Sequence, residues 1–273
     1  MRRRDRRVAG SRSGPRGRLQ ATPPGVGRDR LSAVARDVVA CAACPRLRRY
    51  CAAVAARGKR EFAGWRYWAK PVPGFGDPRA ELLVVGLAPA AHGANRTGRM
   101  FTGDGSGTWL IRAMHRAGFA NRPTSVRRGD GLRLHRAYIT AAVRCAPPEN
   151  KPAPVEMARC RPYLARELAL LPRVRVIVAL GRIGFEACRR LLAAQGADVR
   201  ALRFAHGAAC APGPAFPTVI ASYHPSRQNT NTGKLTEPML DRVFEMARAL
   251  VDGPVQERDA PARGGSGRRI GDV

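Results

Sequence analysis

The sequence is short of negative charge. Twenty Asp and Glu stand against 49 Lys and Arg in 273 residues, a formal balance of +29. Lysine is scarce too, with 4 Lys beside 45 Arg. Long apolar runs are missing. None approaches the roughly 18 uncharged residues of a membrane span, which excludes an integral membrane helix. The charged opening residues have no apolar stretch behind them and are not expected to act as a secretory signal. No GK[ST] Walker loop occurs, and GDGSG at 103–107 has the wrong spacing for G-x-G-x-x-G. Nucleotide binding by either route is therefore not expected. One tight C-x-x-C pair, Cys41 and Cys44, has no second tight pair to match it.

What is present points to a globular body that meets a polyanion. Apolar residues make up 44% of the chain, enough for a buried core. Residues 1–30 carry a net +8 and residues 252–273 a net of zero, which leaves +21 on 31–251. A coding bias toward Arg would leave part of the same excess, but nucleic acid is the natural partner for such a balance. The Arg-, Gly-, Pro- and Ser-rich segment 1–30 reads as a disordered basic arm, and 252–273 as a second disordered tail. Residues 31–251 are expected to form the folded domain.

Four short, nearly continuous apolar runs stand out: 81–88, 137–144, 174–180 and 217–223. Such runs suit strands buried on both faces. Helical periodicity fills about 31–41, 106–118, 154–170, 182–195 and 236–250. The alternation predicts βαβ units and a parallel sheet. Ligands in open α/β sheets bind beyond the carboxyl ends of the strands. The loops at 86–107, 145–153 and 223–235 are therefore expected to share one rim.

The first loop, GLAPAAHGANRTGRMFTGDGSG, is rich in Gly, which lets backbone approach a ligand closely. It carries Phe101 three residues before Asp104. One reading is a planar ligand stacked on Phe101 beside the carboxylate. The other makes Phe101 core and Asp104 the cap of the helix beginning near Ser106. The third loop, SYHPSRQNTNTGKLT, carries His224, Arg227, Gln228 and Lys234, polar and basic groups with little to pack against. That pattern favours contact with a ligand and with phosphates.

The seven cysteines are odd in number and do not make a secreted disulfide framework. Cys41 and Cys44 fall in a stretch read as helical. Cys145 closes the second strand, and Cys160 follows after a Pro-rich gap. One tight and one wide pair suits a cubane iron–sulfur cluster at least as well as zinc. Two buried helix cysteines are the alternative. Cys188 reads as core, and Cys51 is the rival ligand.

Taken together, C-x-x-C at 41–44, GLAPAAHGANRTGRMFTGD at 86–104, AAVRCAPPENKP at 141–152, Cys160 and HPSRQNTNTGKLT at 224–236 resemble the uracil-DNA glycosylase superfamily, and most closely its iron–sulfur-containing family-5 branch. The resemblance covers about 35–250. It implies a three-layer αβα sandwich around a central four-stranded parallel sheet. It also implies a [4Fe–4S] cluster on Cys41, Cys44, Cys145 and Cys160, and hydrolytic removal of deaminated bases from DNA.

On that footing Phe101 stacks on the extruded base and His224 donates to the base oxygen, helped by the turn of Gly86, Ala88 and Pro89. Asp104 stabilises the cationic sugar and orients water. His92 and Asn95 are alternatives for the water. Arg227 and Gln228 brace the gap left in the duplex, and Lys234 belongs to the phosphate-binding surface. Ala141 stands where some members have Asn, which opens the pocket to hypoxanthine and xanthine. The protein is expected to act as a monomer, in the cytoplasm at the nucleoid. Two rival classes share some of these features: a non-catalytic iron–sulfur or zinc nucleic-acid binder, and a dithiol redox protein using Cys41 and Cys44.

Overall fold

The computed structural model describes residues 30–253. Apart from Arg30, Asp252 and Gly253, the expected basic arm and tail lie outside the described residues. Asp252 ends the last helix and pairs with Arg136 and Arg248.

Four parallel strands form the centre: β2 (Leu82–Gly86), β3 (Ala137–Ala141), β4 (Val176–Leu180) and β6 (Thr218–Ser222). Their order is β3-β2-β4-β6. Two-residue antiparallel strands, β1 (Phe75–Gly76) and β5 (Ala209–Cys210), close the edges against β3 and β6. The four apolar runs supply the four parallel strands; β1 and β5 are too short to leave a periodic signal.

Alternate strand residues go to opposite faces. Leu82, Val84, Ile139, Val176, Val178 and Ile220 pack with α4 (Gly105–Arg116) and α8 (Glu237–Asp252). Leu83, Val85, Tyr138, Ile177, Ala179 and Val219 pack with α5 (Pro154–Ala169) and α6 (Gly181–Ala194). Each fully buried side chain of this kind contributes on the order of 1.5–3 kcal/mol, so both layers are needed to hold the sheet. The architecture is the αβα sandwich.

The N-terminal helices depart from the expectation. The C-x-x-C pair is not inside a helix. Helix α1 (Leu31–Ala40) ends before Cys41, and α2 (Pro45–Arg57) begins after Cys44, which is its N-cap. Pro45 is the reason: proline lacks the N–H a helix interior needs but fits the first turn. The chain therefore stops and restarts there, and the two cysteines occupy the turn. Helix α2, which buries Leu47, Cys51 and Val54 on one face, was not among the five expected helices.

One buried ion pair fixes the exit of β3. Arg144 and Glu167 are each 1% exposed and are paired, and Thr140 Oγ1 donates to Glu167 Oε2 at 2.6 Å. Breaking such a pair from one side costs about 3–5 kcal/mol, because the other charge stays buried. The pair ties the segment leading into Cys145 to α5, which carries Cys160.

Candidate functional site

A cleft of about 1020 Å³ opens at the carboxyl ends of the parallel strands. All three predicted loops line it: Ala88, His92, Phe101 and Asp104 from the first, Glu149 and Asn150 from the second, His224, Arg227 and Gln228 from the third. A smaller adjoining cavity of about 450 Å³ shares Leu87 and His224 and reaches Lys234.

Phe101 answers to both readings of its sequence. It is 8% exposed and belongs to the core, yet it lines the cleft. Its φ of +48° is a left-handed conformation that costs a non-Gly residue energy. The ring is admitted by Gly86, where a Cβ would stand 2.6 Å from Phe101 Cζ. The His224 ring lies across from it, with centroids 5.9 Å apart and planes 30° apart.

Asp104 is also a helix cap. Its Oδ1 accepts from Gly107 N at 2.9 Å, closing the first turn of α4. Oδ2 stands over Gly93, where any Cβ would overlap it. Burial pushes the Asp104 carboxyl above its ordinary range. The Gly107 and Ser106 amides and the Arg96 and Arg227 charges oppose that rise.

His224 follows β6, and burial lowers its pKa to about 4, so its ring is neutral at pH 7. Gly181 makes room for it, since a Cβ there would stand 3.1 Å from His224 Cβ. His92 lies 2.9 Å, Nδ1 to hydroxyl, from Tyr67, and burial lowers its pKa as well.

Several residues singled out in the sequence fall elsewhere. Asn95 is fully buried, and its Nδ2 donates to the Cys51 and Ala91 carbonyls at 3.3 Å each. It joins α2 to α3 (Ala94–Thr97) and does not line the cleft. Gly86 and Pro89 are buried beneath the loop. Lys234 sits outside the main cleft, with Nζ 5.0 Å from the Tyr223 ring centroid. Ala141 is fully buried at the end of β3, opposite Gly86.

Arg96, Phe62, Trp65 and Asn150 were not foreseen. Arg96 is 4% exposed, and its guanidinium donates to the His92 and Gly103 carbonyls at 2.8 Å each. It thereby braces both limbs of the loop. Nothing in the sequence sets this Arg apart from 44 others.

Cys44, Cys51, Cys145 and Cys160 gather in one buried cluster with Leu47, Val143 and Ala146. Cys41 is half-buried and hydrogen-bonded with Tyr163, which also lies near Cys160. Cys51 donates to the Ala146 carbonyl at 3.6 Å and is hydrogen-bonded with Cys145. Among the described residues no three His, Cys, Asp or Glu side chains are placed to share one metal ion.

A family model described as the uracil DNA glycosylase superfamily matches residues 73–248. The chain belongs to the uracil-DNA glycosylase superfamily. It is 53% identical over 219 residues to a type-5 uracil-DNA glycosylase of Thermus thermophilus, covering 80% of this chain and 97% of that one. A type-5 uracil-DNA glycosylase of Pyrobaculum aerophilum is 46% identical over 212 residues, 78% of this chain and 89% of that one. Similarity to a type-4 uracil-DNA glycosylase of the same organism is 36% over 128 residues, 46% of this chain and 57% of that one. Among superfamily members the chain therefore stands with the type-5 proteins, spanning 97% and 89% of these two.

The burial of His224 has a measurable consequence. Its folded pKa of about 4 lies below the ordinary 6.5. As pH falls from about 6.5 toward 4 the unfolded chain takes up a proton that the folded one refuses, so stability present above that window is lost within it. His92 and His206 are depressed in the same direction. His224→Gln is expected to lessen, not abolish, the fall in urea midpoint between pH 7 and about pH 4.5. An unchanged fall would contradict the neutral ring.

Proposed function

We propose that this protein is a monofunctional DNA glycosylase that extrudes uracil from DNA and hydrolyses its N-glycosidic bond, beginning base excision repair. The observation that carries the reading is the meeting of Phe101, Asp104 and His224 on one cleft. An aromatic face, a carboxylate and a neutral imidazole, drawn from two distant stretches of chain, are what this reaction needs.

The base leaves its stack at a cost of a few kcal/mol, least when mispaired. Stacking on Phe101 returns roughly 1–3 kcal/mol. Bond cleavage leaves negative charge on the departing base and positive charge on the sugar. Neutral His224 supports a hydrogen bond to the base oxygen as it becomes anionic; a lost donor of this kind commonly costs about 3–4 kcal/mol. Asp104, raised by its burial and opposed in that by two amides and two Arg charges, faces the oxocarbenium-like sugar and orients the attacking water. His92, neutral and beside Tyr67, is the second group available to that water. Exposed Arg227 and Gln228 at the rim brace the duplex around the gap, and Lys234 extends the phosphate-binding surface.

The cleft's volume of about 1020 Å³ supports a substrate range that includes hypoxanthine and xanthine. Among the described residues no helix is long and apolar enough to cross a membrane, and the work of the protein belongs to DNA in the nucleoid.

The four thiols Cys41, Cys44, Cys145 and Cys160 suit a [4Fe–4S] cluster in chemistry. In a cubane each thiolate holds a different iron, so the sulfurs need not converge on one ion. Arg159 and Arg144 stand near Cys44 and Cys160 and offset their negative charge. Bound there, the cluster supplies a cross-link between the α1–α2 turn and the wall of the cleft after β3. Cys51, bonded to the Ala146 carbonyl, is left as a packing residue.

Incubation with duplexes carrying uracil, hypoxanthine or xanthine, followed by alkali and a sizing gel, tests the reading. Strand scission at uracil is expected from the intact protein. Asp104→Asn should lower the single-turnover rate by at least about 100-fold while DNA affinity is kept. Full activity in that variant removes Asp104 from its role. Visible absorbance tests the cluster separately: Cys160→Ser should bleach the purified protein and Cys51→Ser should not, and the reverse pattern would replace Cys160 by Cys51 in the ligand set.

A further inference from the structure

Four large hydrophobic side chains are exposed among the described residues: Trp65 at 40%, Val126 at 55%, Val155 and Leu250. Only Trp65 and Val126 line the cleft. Exposing an indole to water is unfavourable, and here it is done on a rigid mount. The Arg96 guanidinium lies 4.2 Å from the Trp65 ring and 3.7 Å from the Phe62 ring. Phe62 meets Trp65 edge-on, with centroids 6.5 Å apart. Arg96 is itself fixed to the His92 and Gly103 carbonyls.

Val126 is mounted with equal care. Asp130 accepts from the Val126, Arg127 and Leu132 amides at 2.8, 3.2 and 3.0 Å, and from the Arg99 fork. The preceding Ser125 carbonyl accepts from Gly103 N at 2.9 Å. Both mounts thus attach to Gly103, the residue before Asp104. Lys59, Arg60, Arg66, Arg127 and Arg128 are exposed around them, and Glu61 is tied to Lys59.

We propose that Trp65, backed by Arg96 and Phe62 in the cleft that Val126 also lines, seats the nucleobase adjacent to the extruded one on the same DNA strand. This rests on the glycosylase reading and adds a second base-binding position to it. Phe101 and His224 face each other deeper in the cleft, so Trp65 at the rim is left for a neighbour. An apolar, π-faced surface ringed by cations fits a flat base carrying its phosphate. Stacking of this kind tolerates any base, so the position supplies affinity without sequence preference.

The test pairs a protein deletion with a substrate deletion. Single-stranded uracil oligonucleotides are compared with the same strands bearing a tetrahydrofuran residue, which lacks a base, 5′ or 3′ to the uracil. For the wild-type protein KM should rise about 5- to 150-fold when the base on one of the two sides is removed. Trp65→Ala should show the raised KM already with the intact strand and no further rise, and Trp65→Phe should recover a large part of the discrimination. The proposal is overturned if Trp65→Ala responds to the missing base as fully as the wild type, or if the wild type is indifferent on both sides. Should the wild type leave every uracil strand intact, the glycosylase reading fails by itself. The same comparison by fluorescence anisotropy on uncleaved strands then decides the role of Trp65 under the same criterion.

Discussion

The site depends on how one carboxylate is held. Asp104 closes the first turn of α4 through Oδ1, and its Oδ2 rests over Gly93, with no room between them for a methyl group. The N-cap contact fixes the side chain's direction, and the glycine fixes how far the preceding loop can approach. Both ends of that loop are then closed by Arg96, which bonds the His92 and Gly103 carbonyls. Phe101, strained at φ +48°, lies within the same closed loop and over Gly86. The capping and the catalytic readings of Asp104 are therefore one arrangement: a cap is a rigid way to present a carboxylate.

The parallel sheet brings the second stretch of chain to this loop. β2 and β6 each lie beside β4, so the residues leaving their carboxyl ends emerge on one rim. His224 arrives opposite Phe101 for that reason. On the other flank, β3 leads through the buried Arg144–Glu167 pair into the cysteine cluster. That pole anchors α2 and the segment that follows it, which carries Phe62 and Trp65 to the mouth of the cleft. Charge is spread over the surface and continues into the cleft, where exposed Arg227 and buried Arg96 both act on Asp104.

Much of this was legible in the sequence. The four parallel strands and five of the helices follow from apolar runs and helical period, because burial on two faces leaves a strong pattern. Convergence of the three loops followed from strand polarity alone. The turn between Cys41 and Cys44 was hidden because alanine-rich flanks look helical, although Pro45 marks the restart. Asn95 was misplaced for a general reason: a polar residue in a Gly-rich loop looks available to a ligand, and only packing reveals that it bonds the Cys51 carbonyl. Arg96 could not be found among 45 Arg, since its distinction is its burial and its aromatic cover, both long-range facts.

The most direct measurement bearing on the central claim is the single-turnover rate of Gly93→Ala on uracil-containing DNA, taken beside its thermal unfolding midpoint. The added methyl group must displace the Asp104 carboxylate while leaving the sheet and both layers of the core untouched. The account predicts a folded protein that still binds DNA and has lost most of its cleavage rate. A variant that cleaves at the wild-type rate would show that the position of this carboxylate does not govern the reaction.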